Sequence, residues 1–469
     1  MIVVFCIAAI VLVLRNFNGG QGVFELPNLY GLMALVYFLP QIVVQLPNGS
    51  EPEAGFDAYL AMATACLIAT YFGWHLAMRE SLSRRNDGVY TRSGYFRGAA
   101  ASTAIALVCN LVLEFLRPSM DGIQQWYGPI VIVAFFAQLR IVSFAFSLAL
   151  FFRERTMFTT TNFVLNLCMV LPSVLLYARR TDLVGAAFAY VVVRWFVKRR
   201  IPPLHITIPL FISIFVVTFA ITEIRTYQYL HYVATGERLS ILSPQLLTSI
   251  DFSASASNGL STSSDIRNGM RSIAAVQSTG SYSFGAALWN RVVFQYVPAT
   301  VFGPSVKESF MFDIRSLDEL ASEYSDYYWQ TGTTPTGFAT AFQDFWYAGS
   351  LYFVLMAYLT GRTFKRALSG DIFSQVLYVP LVAMALVSLT HSISYFFVSY
   401  PFFWVSMAGV KRLFRRHGLG DGNRPLCNSP TSYNSPTSRA RLPDSPSTGT
   451  HIQSVGWRPS ARPISRRVP

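Results

Sequence analysis

The sequence predicts an all-α, polytopic integral membrane protein with about eleven transmembrane helices and one large extracytoplasmic loop. Three observations predict it. Hydrophobic residues make up 52% of the chain and charged residues only 13%, where soluble domains carry about a quarter charged. Apolar runs of spanning length recur along most of the chain. Between them, basic loops alternate with loops that are neutral or acidic.

Met1 to Leu14 is apolar but shorter than the roughly 17–25 residues that cross a bilayer. It lacks a basic leading segment and a small-residue cleavage site, so it reads as a clipped or late-starting first helix and not as a signal peptide. Further apolar runs follow at about 28–46, 57–77, 98–116, 128–153, 160–177, 183–197, 204–224, 338–361, 372–390 and 391–410. Arg79, Arg84, Arg85, Arg92 and Arg97 mark one basic loop, Arg153 and Arg155 a second, Lys198 to Arg200 a third, and Arg362, Lys365 and Arg366 a fourth. The alternate loops include Glu51 to Glu53 and a long polar stretch from Arg225 to Gly337. Because basic loops stay in the cytoplasm, the long stretch is expected outside and the C-terminus inside. The division is therefore 1–224 transmembrane, 225–337 loop, 338–410 transmembrane and 411–469 tail.

The net charge of +13 invites a nucleic-acid reading, which its location excludes. From Lys411 onward there are eleven Lys and Arg against two Asp and Glu, whereas the loop has seven against nine. The surplus sits where topology wants it. The tail repeats Asn428-Ser-Pro-Thr-Ser432 as Asn434 to Ser438, and such Ser/Pro/Arg-rich sequence is expected to be disordered. Cys6, Cys66, Cys109 and Cys168 lie in apolar runs and Cys427 in the tail, so neither a disulfide framework nor a zinc spacing is expected. No phosphate-binding glycine loop, zinc-protease motif or nucleophile elbow is present.

The loop closes with Thr333-Thr-Pro-Thr-Gly337 and leads into Asp344-Phe-Trp-Tyr-Ala-Gly349. In these residues, and from Trp289-Asn-Arg291 to Glu308, the chain resembles the O-antigen polymerase (oligosaccharide repeat-unit polymerase) family, over about 225–366. Asp344, Phe345 and Gly349 match a motif of an acidic or amide residue, Phe, and Gly a few residues on. Relatives often carry Glu just after the first glycine of the segment, where Phe338-Ala-Thr340 has none. The resemblance implies polymerisation of polyprenyl-pyrophosphate-linked oligosaccharide repeat units into O-antigen, capsule or exopolysaccharide, on the outer face of a bacterial cytoplasmic membrane. The growing chain moves from its lipid pyrophosphate to the terminal hydroxyl of a new unit, with no metal, nucleotide sugar or other cofactor. Membrane lipids, a flippase and a chain-length regulator are the implied partners.

That chemistry asks for preplaced cations, and guanidinium groups bind phosphate oxygens bidentately while staying charged. Outside arginines run against the positive-inside bias and so carry weight. Arg291 and Arg271 are expected to be catalytic. Arg225, Arg238, Arg267 and Lys307 are expected to touch substrate, with Thr334 and Thr336 of the closing segment. Arg267 and Arg271, four apart, would share a helix face. Arg140 interrupts an apolar run, which makes it a functional candidate or a buried structural arginine. Arg179 and Arg180 fall in a short outer loop, and Arg194 reads as snorkelling. For the base that deprotonates the acceptor, Asp344 is favoured over Asp313, Asp318, Glu319 and Glu323, with His231 read as structural. Tyr324, Tyr327, Tyr328 and Trp329 suit either sugar stacking or an interfacial belt. Two other functions stay open: a ligase passing finished glycan to another lipid acceptor, and a transporter or flippase of lipid-linked sugar. Such ligases tend to carry a late loop His, and the loop's His231 comes early. A transporter would show related halves, which the sequence lacks.

Overall fold

The computed structural model describes residues 1–15, 22–45, 54–81, 92–116, 130–175, 180–200, 227, 231–236, 243, 264–329 and 333–413. All of them belong to one compact unit, Met1–Asn428. Every regular element among them is helical. The expected span at 204–224, the loop residues Arg225 and Arg238, and the tail beyond Leu413 lie outside the described residues.

Five helices among the described residues are long and apolar enough to cross a membrane. They are α2 (Leu26–Val44), α3 (Phe56–Arg79), α4 (Arg92–Leu116), α5 (Ile132–Arg153) and α13 (Ile372–Thr390). Between and around them run α1 (Ile2–Leu14), α6 (Met157–Leu175), α7 (Arg180–Lys198), α8 (Ser264–Thr279), α9 (Ala286–Tyr296), α10 (Leu317–Ser325), α11 (Thr336–Phe345), α12 (Leu351–Leu368) and α14 (Ser394–Leu413).

The centre of the bundle is the parallel pair α3 and α12. Small residues let their backbones meet, as at other membrane helix interfaces. Gly73 faces the Val354 carbonyl, and a Cβ on Gly361 would stand 2.8 Å from that of Ala77. Charged partners gather at one end. Glu80 pairs with Arg362 at 3.1 Å, Lys365 donates to the Met78 carbonyl at 2.6 Å, and Arg92 pairs with Glu154. The loop helices sit at the other end, where Tyr37 donates to Asp265 of α8 at 3.0 Å.

The apolar run at 338–361, expected as one span, is broken. After α11 the chain turns at Trp346, whose φ is +53°, and returns as α12. Gly349 meets the Ala341 carbonyl and Phe338 stacks on Phe353 at 5.8 Å, so the two helices run antiparallel. At about 15 Å, a ten-residue helix is half the hydrocarbon thickness. Hydropathy sees only an unbroken apolar window there; the break comes from the Phe345–Ser350 turn, which contains Gly349.

The segment before α11 wedges against the end of α13. Thr334 donates to the Thr390 carbonyl at 2.7 Å, and its N–H donates to Asp265 at 3.0 Å. Gly337 lies on the Ser388 carbonyl so closely that a methyl group would collide with backbone. Gly337→Ala is therefore expected to destabilise the protein by about 1–3 kcal/mol, the usual range for overpacking. Gly409→Ala, where a Cβ has open space, should change stability little. Thermal unfolding of both variants in detergent checks this.

Candidate active site

The site is assembled from α9 outward. Gly285, with φ +86°, starts that helix as only a glycine does readily. The turn before it is tied to the end of α11: the Ser283 N–H donates to the Gln343 carbonyl at 2.9 Å, and its hydroxyl donates to Asp344 Oδ1. At the other end of α9, the Tyr296 hydroxyl donates to the Val398 carbonyl of α14. Asn290 exchanges two 2.8 Å bonds with the backbone of Phe312, and Trp289 donates to the Phe310 carbonyl. These bonds lay the chain after α9 along one side of it. Ala287, Leu288, Arg291, Phe294 and Gln295, at helical spacing, then face two adjoining cavities.

The first cavity, about 740 Å³, is walled by α2, α5, α7, α13 and α14 and closed by α9. Most of its wall is apolar, including Met33, Phe188, Met384 and Val387. Arg140 and Arg291 both line it, and no Asp or Glu does among the described residues. The second, about 620 Å³, is more polar and includes Asn290, Arg315, Asp318, Thr334, Gln343 and Asp344. Arg291, Phe294, His391, Ser394 and Tyr395 line both, so the chambers meet there.

The structure thus gathers Arg140, Arg291 and the pair Thr334 and Asp344, drawn from three distant stretches of sequence. Of the other described candidates, Asp318 and Trp329 also line the second cavity, whereas Arg267, Arg271, Lys307 and Thr336 line neither. Arg267 and Arg271 share α8, as their spacing predicts, but Arg267 donates to Gln45 at 3.3 Å and Arg271 lies 5.0 Å over the Tyr327 ring. Lys307 donates to the Phe294 carbonyl at 3.0 Å, behind the cavity wall, where burial lowers its pKa. Thr336 is fully buried with φ +69°, a strained conformation for a β-branched residue, and its role is in the packing of α11.

Asp344 is only 1% exposed. Oδ1 accepts from Ser283 and Oδ2 from the Tyr352 hydroxyl at 3.1 Å. Burial pushes its carboxyl pKa up, against the opposing pull of those bonds and the Gly285 N–H. With each oxygen accepting one such bond it holds the turn that launches α9, and it also lines the polar cavity.

His391 escaped the sequence reading because it belongs to no motif and ends an apolar run. The polar break Thr390-His-Ser-Ile-Ser394 was the available signal. It terminates α13, shares a 2.8 Å hydrogen bond with Thr390 and sets its ring edgewise to Tyr395 at 5.7 Å. Among the described residues no group of three or more His, Cys, Asp and Glu could hold a metal ion. No family model, no curated protein and no solved structure matches this chain.

The raised Asp344 pKa has a measurable consequence. The folded state holds that proton more tightly than the unfolded state, so Asp344 favours folding below its folded pKa and loses this contribution as pH rises through it. Asp344→Asn, which cannot ionise, should gain stability relative to wild type as pH rises above the ordinary carboxylate range of about 4 and through the folded pKa. Paired thermal melts across that range check the sign; a difference that stays flat or shrinks would contradict it.

Proposed function

We propose that the chain polymerises polyprenyl-pyrophosphate-linked oligosaccharide repeat units on the outer face of a bacterial cytoplasmic membrane. The observation that carries this reading is the first cavity. Two arginines face a largely apolar space between membrane helices, with no acid among the described residues that line it, which suits an isoprenoid chain ending in a pyrophosphate. The adjoining polar cavity suits sugars. The basic end of the bundle is then cytoplasmic, and the loop helices are outside. Units would arrive by a flippase, and a chain-length regulator would act beside the polymerase.

In the reaction, the acceptor hydroxyl oxygen attacks the anomeric carbon of the growing chain. The bond from that carbon to the pyrophosphate oxygen breaks, and polyprenyl pyrophosphate leaves with the electron pair. Arg140 and Arg291 stabilise the charge that gathers on it; such groups preplaced in a water-poor site contribute several kcal/mol. The hydroxyl proton passes to His391, which stands where the chambers meet and replaces Asp344 as the expected base. A ligase is the second reading. Such ligases tend to carry a His late in the loop, and His391, which follows the loop in sequence, lines both cavities.

The test uses the purified full chain in detergent with lipid-pyrophosphate-linked repeat units, without nucleotide. Wild type should build a ladder of longer glycans. Arg291→Ala and Arg140→Ala should each slow it by about 100-fold or more, Arg291→Lys less, and His391→Ala by about 100-fold. A single transfer to a different lipid acceptor would establish the ligase instead. Lipid-linked sugar crossing a reconstituted bilayer without any transfer would overturn both in favour of a transporter.

A further inference from the structure

The polar cavity differs from its neighbour in what its wall leaves unsatisfied. Trp329 lines it, and the indole N–H is buried with no hydrogen-bond partner among the described residues. A protein seldom leaves such a donor unpaired, because the lost solvation is not returned. Asp318, in the first turn of α10, lines the same space and makes no hydrogen bond or ion pair among the described residues. Tyr395, at the junction, meets His391 through its ring, and its hydroxyl has no hydrogen bond among the described residues.

Those three side chains offer what a sugar ring uses. Aromatic faces cover its C–H surface, a carboxylate accepts from neighbouring hydroxyls, and an N–H donates to an oxygen. The cavity, about 620 Å³, falls within the range of small-molecule sites. The first cavity has two arginines and, among the described residues, no acid, whereas this one sets Asp318 and Asp344 in a wall shared with Arg291 and Arg315. Two substrates of different charge would therefore sort themselves between the two. Asp318 would repel a pyrophosphate, and the apolar chamber would not satisfy a sugar's hydroxyls.

We propose that the polar cavity is the acceptor subsite, in which Asp318, Trp329 and Tyr395 bind the terminal sugar of the unit that receives the growing chain. This assignment rests on the polymerase reading. It divides recognition into a donor half, read by charge at Arg140 and Arg291, and an acceptor half, read by hydroxyl pattern at Asp318 and Trp329. The attacking hydroxyl then lies at the shared wall beside Arg291 and His391.

The experiment measures binding to the full chain in detergent micelles with two probes. One is inorganic pyrophosphate; the other is the lipid-free oligosaccharide released by mild acid from the host's lipid-linked pool. Asp318→Asn and Trp329→Phe should each weaken oligosaccharide binding by about tenfold or more and leave pyrophosphate binding unchanged. Arg140→Ala, at a residue that lines the first cavity and not the second, should do the reverse. Thermal melts confirm that each variant folds. Oligosaccharide binding that ignores both substitutions, or that wild type lacks, would overturn the acceptor assignment while pyrophosphate binding through Arg140 kept the polymerase reading intact. A wild type that binds no pyrophosphate would remove that reading and the assignment with it. Trp329→Phe that raises thermal stability without changing sugar binding would show a merely hydrated indole, and would also overturn it.

Discussion

Every feature of the cavities depends on a buried carboxylate. Asp344 closes α11, and through Ser283 it fixes the turn from which α9 starts. The α9 helix then carries Arg291 to the meeting point of both chambers. Ionising a carboxyl in that position is costly unless hydrogen bonds compensate; burial raises its pKa against the pull of Ser283, Tyr352 and the Gly285 N–H. The protein accepts this cost, and in return the loop has one register against the bundle. A serine and a tyrosine converging on one aspartate specify that register more sharply than apolar contact does, since an apolar face can slide.

The second constraint is electrostatic. An arginine in the wall of a membrane bundle is expensive and is retained for function. Arg140 belongs to an otherwise apolar helix, and its chamber contains no acid among the described residues. Arg291 adds a second cation to the same space from a separate helix. On the proposed reading, charge building on the leaving pyrophosphate is met there by cations that need not reorganise.

Much of this was legible in the sequence, and what was missed has physical causes. Hydropathy located α2, α3, α4, α5 and α13 to within a few residues, because a bilayer imposes length and apolarity on each helix independently. Arg140 stood out for the same reason. Spacing placed Arg267 and Arg271 on one helix face, yet could not tell that Gln45 and Tyr327 would draw them away from the cavity. The split between α11 and α12 was hidden, since an apolar window reads the same whether its helix continues or doubles back. His391 was hidden too. It gains meaning only from α9 approaching the end of α13, a contact between residues far apart in sequence. Local pattern identifies elements; the site is made of pairings between them.

Those pairings also explain why the loop is anchored through backbone. On the proposed reading Arg140 and Arg291 hold two phosphates of one ligand, and an error of about 1 Å between them would cost much of the benefit of positioning. Side chains alone leave rotamer freedom of that size. The chain instead sets main chain on main chain, with Gly337 on the Ser388 carbonyl, Gly349 on Ala341 and Gly55 on Met270. Glycine admits such contact because it has no Cβ, and each contact removes a direction in which the loop helices could shift. The polar links from Asp265 to Tyr37 and to the Thr334 N–H then fix rotation about those contacts. A loop of this length is ordinarily the least constrained part of a membrane protein. Here α8 is packed like core, with Ile266, Met270, Ile273 and Ala275 fully buried, and a site split between loop and membrane is served by that rigidity.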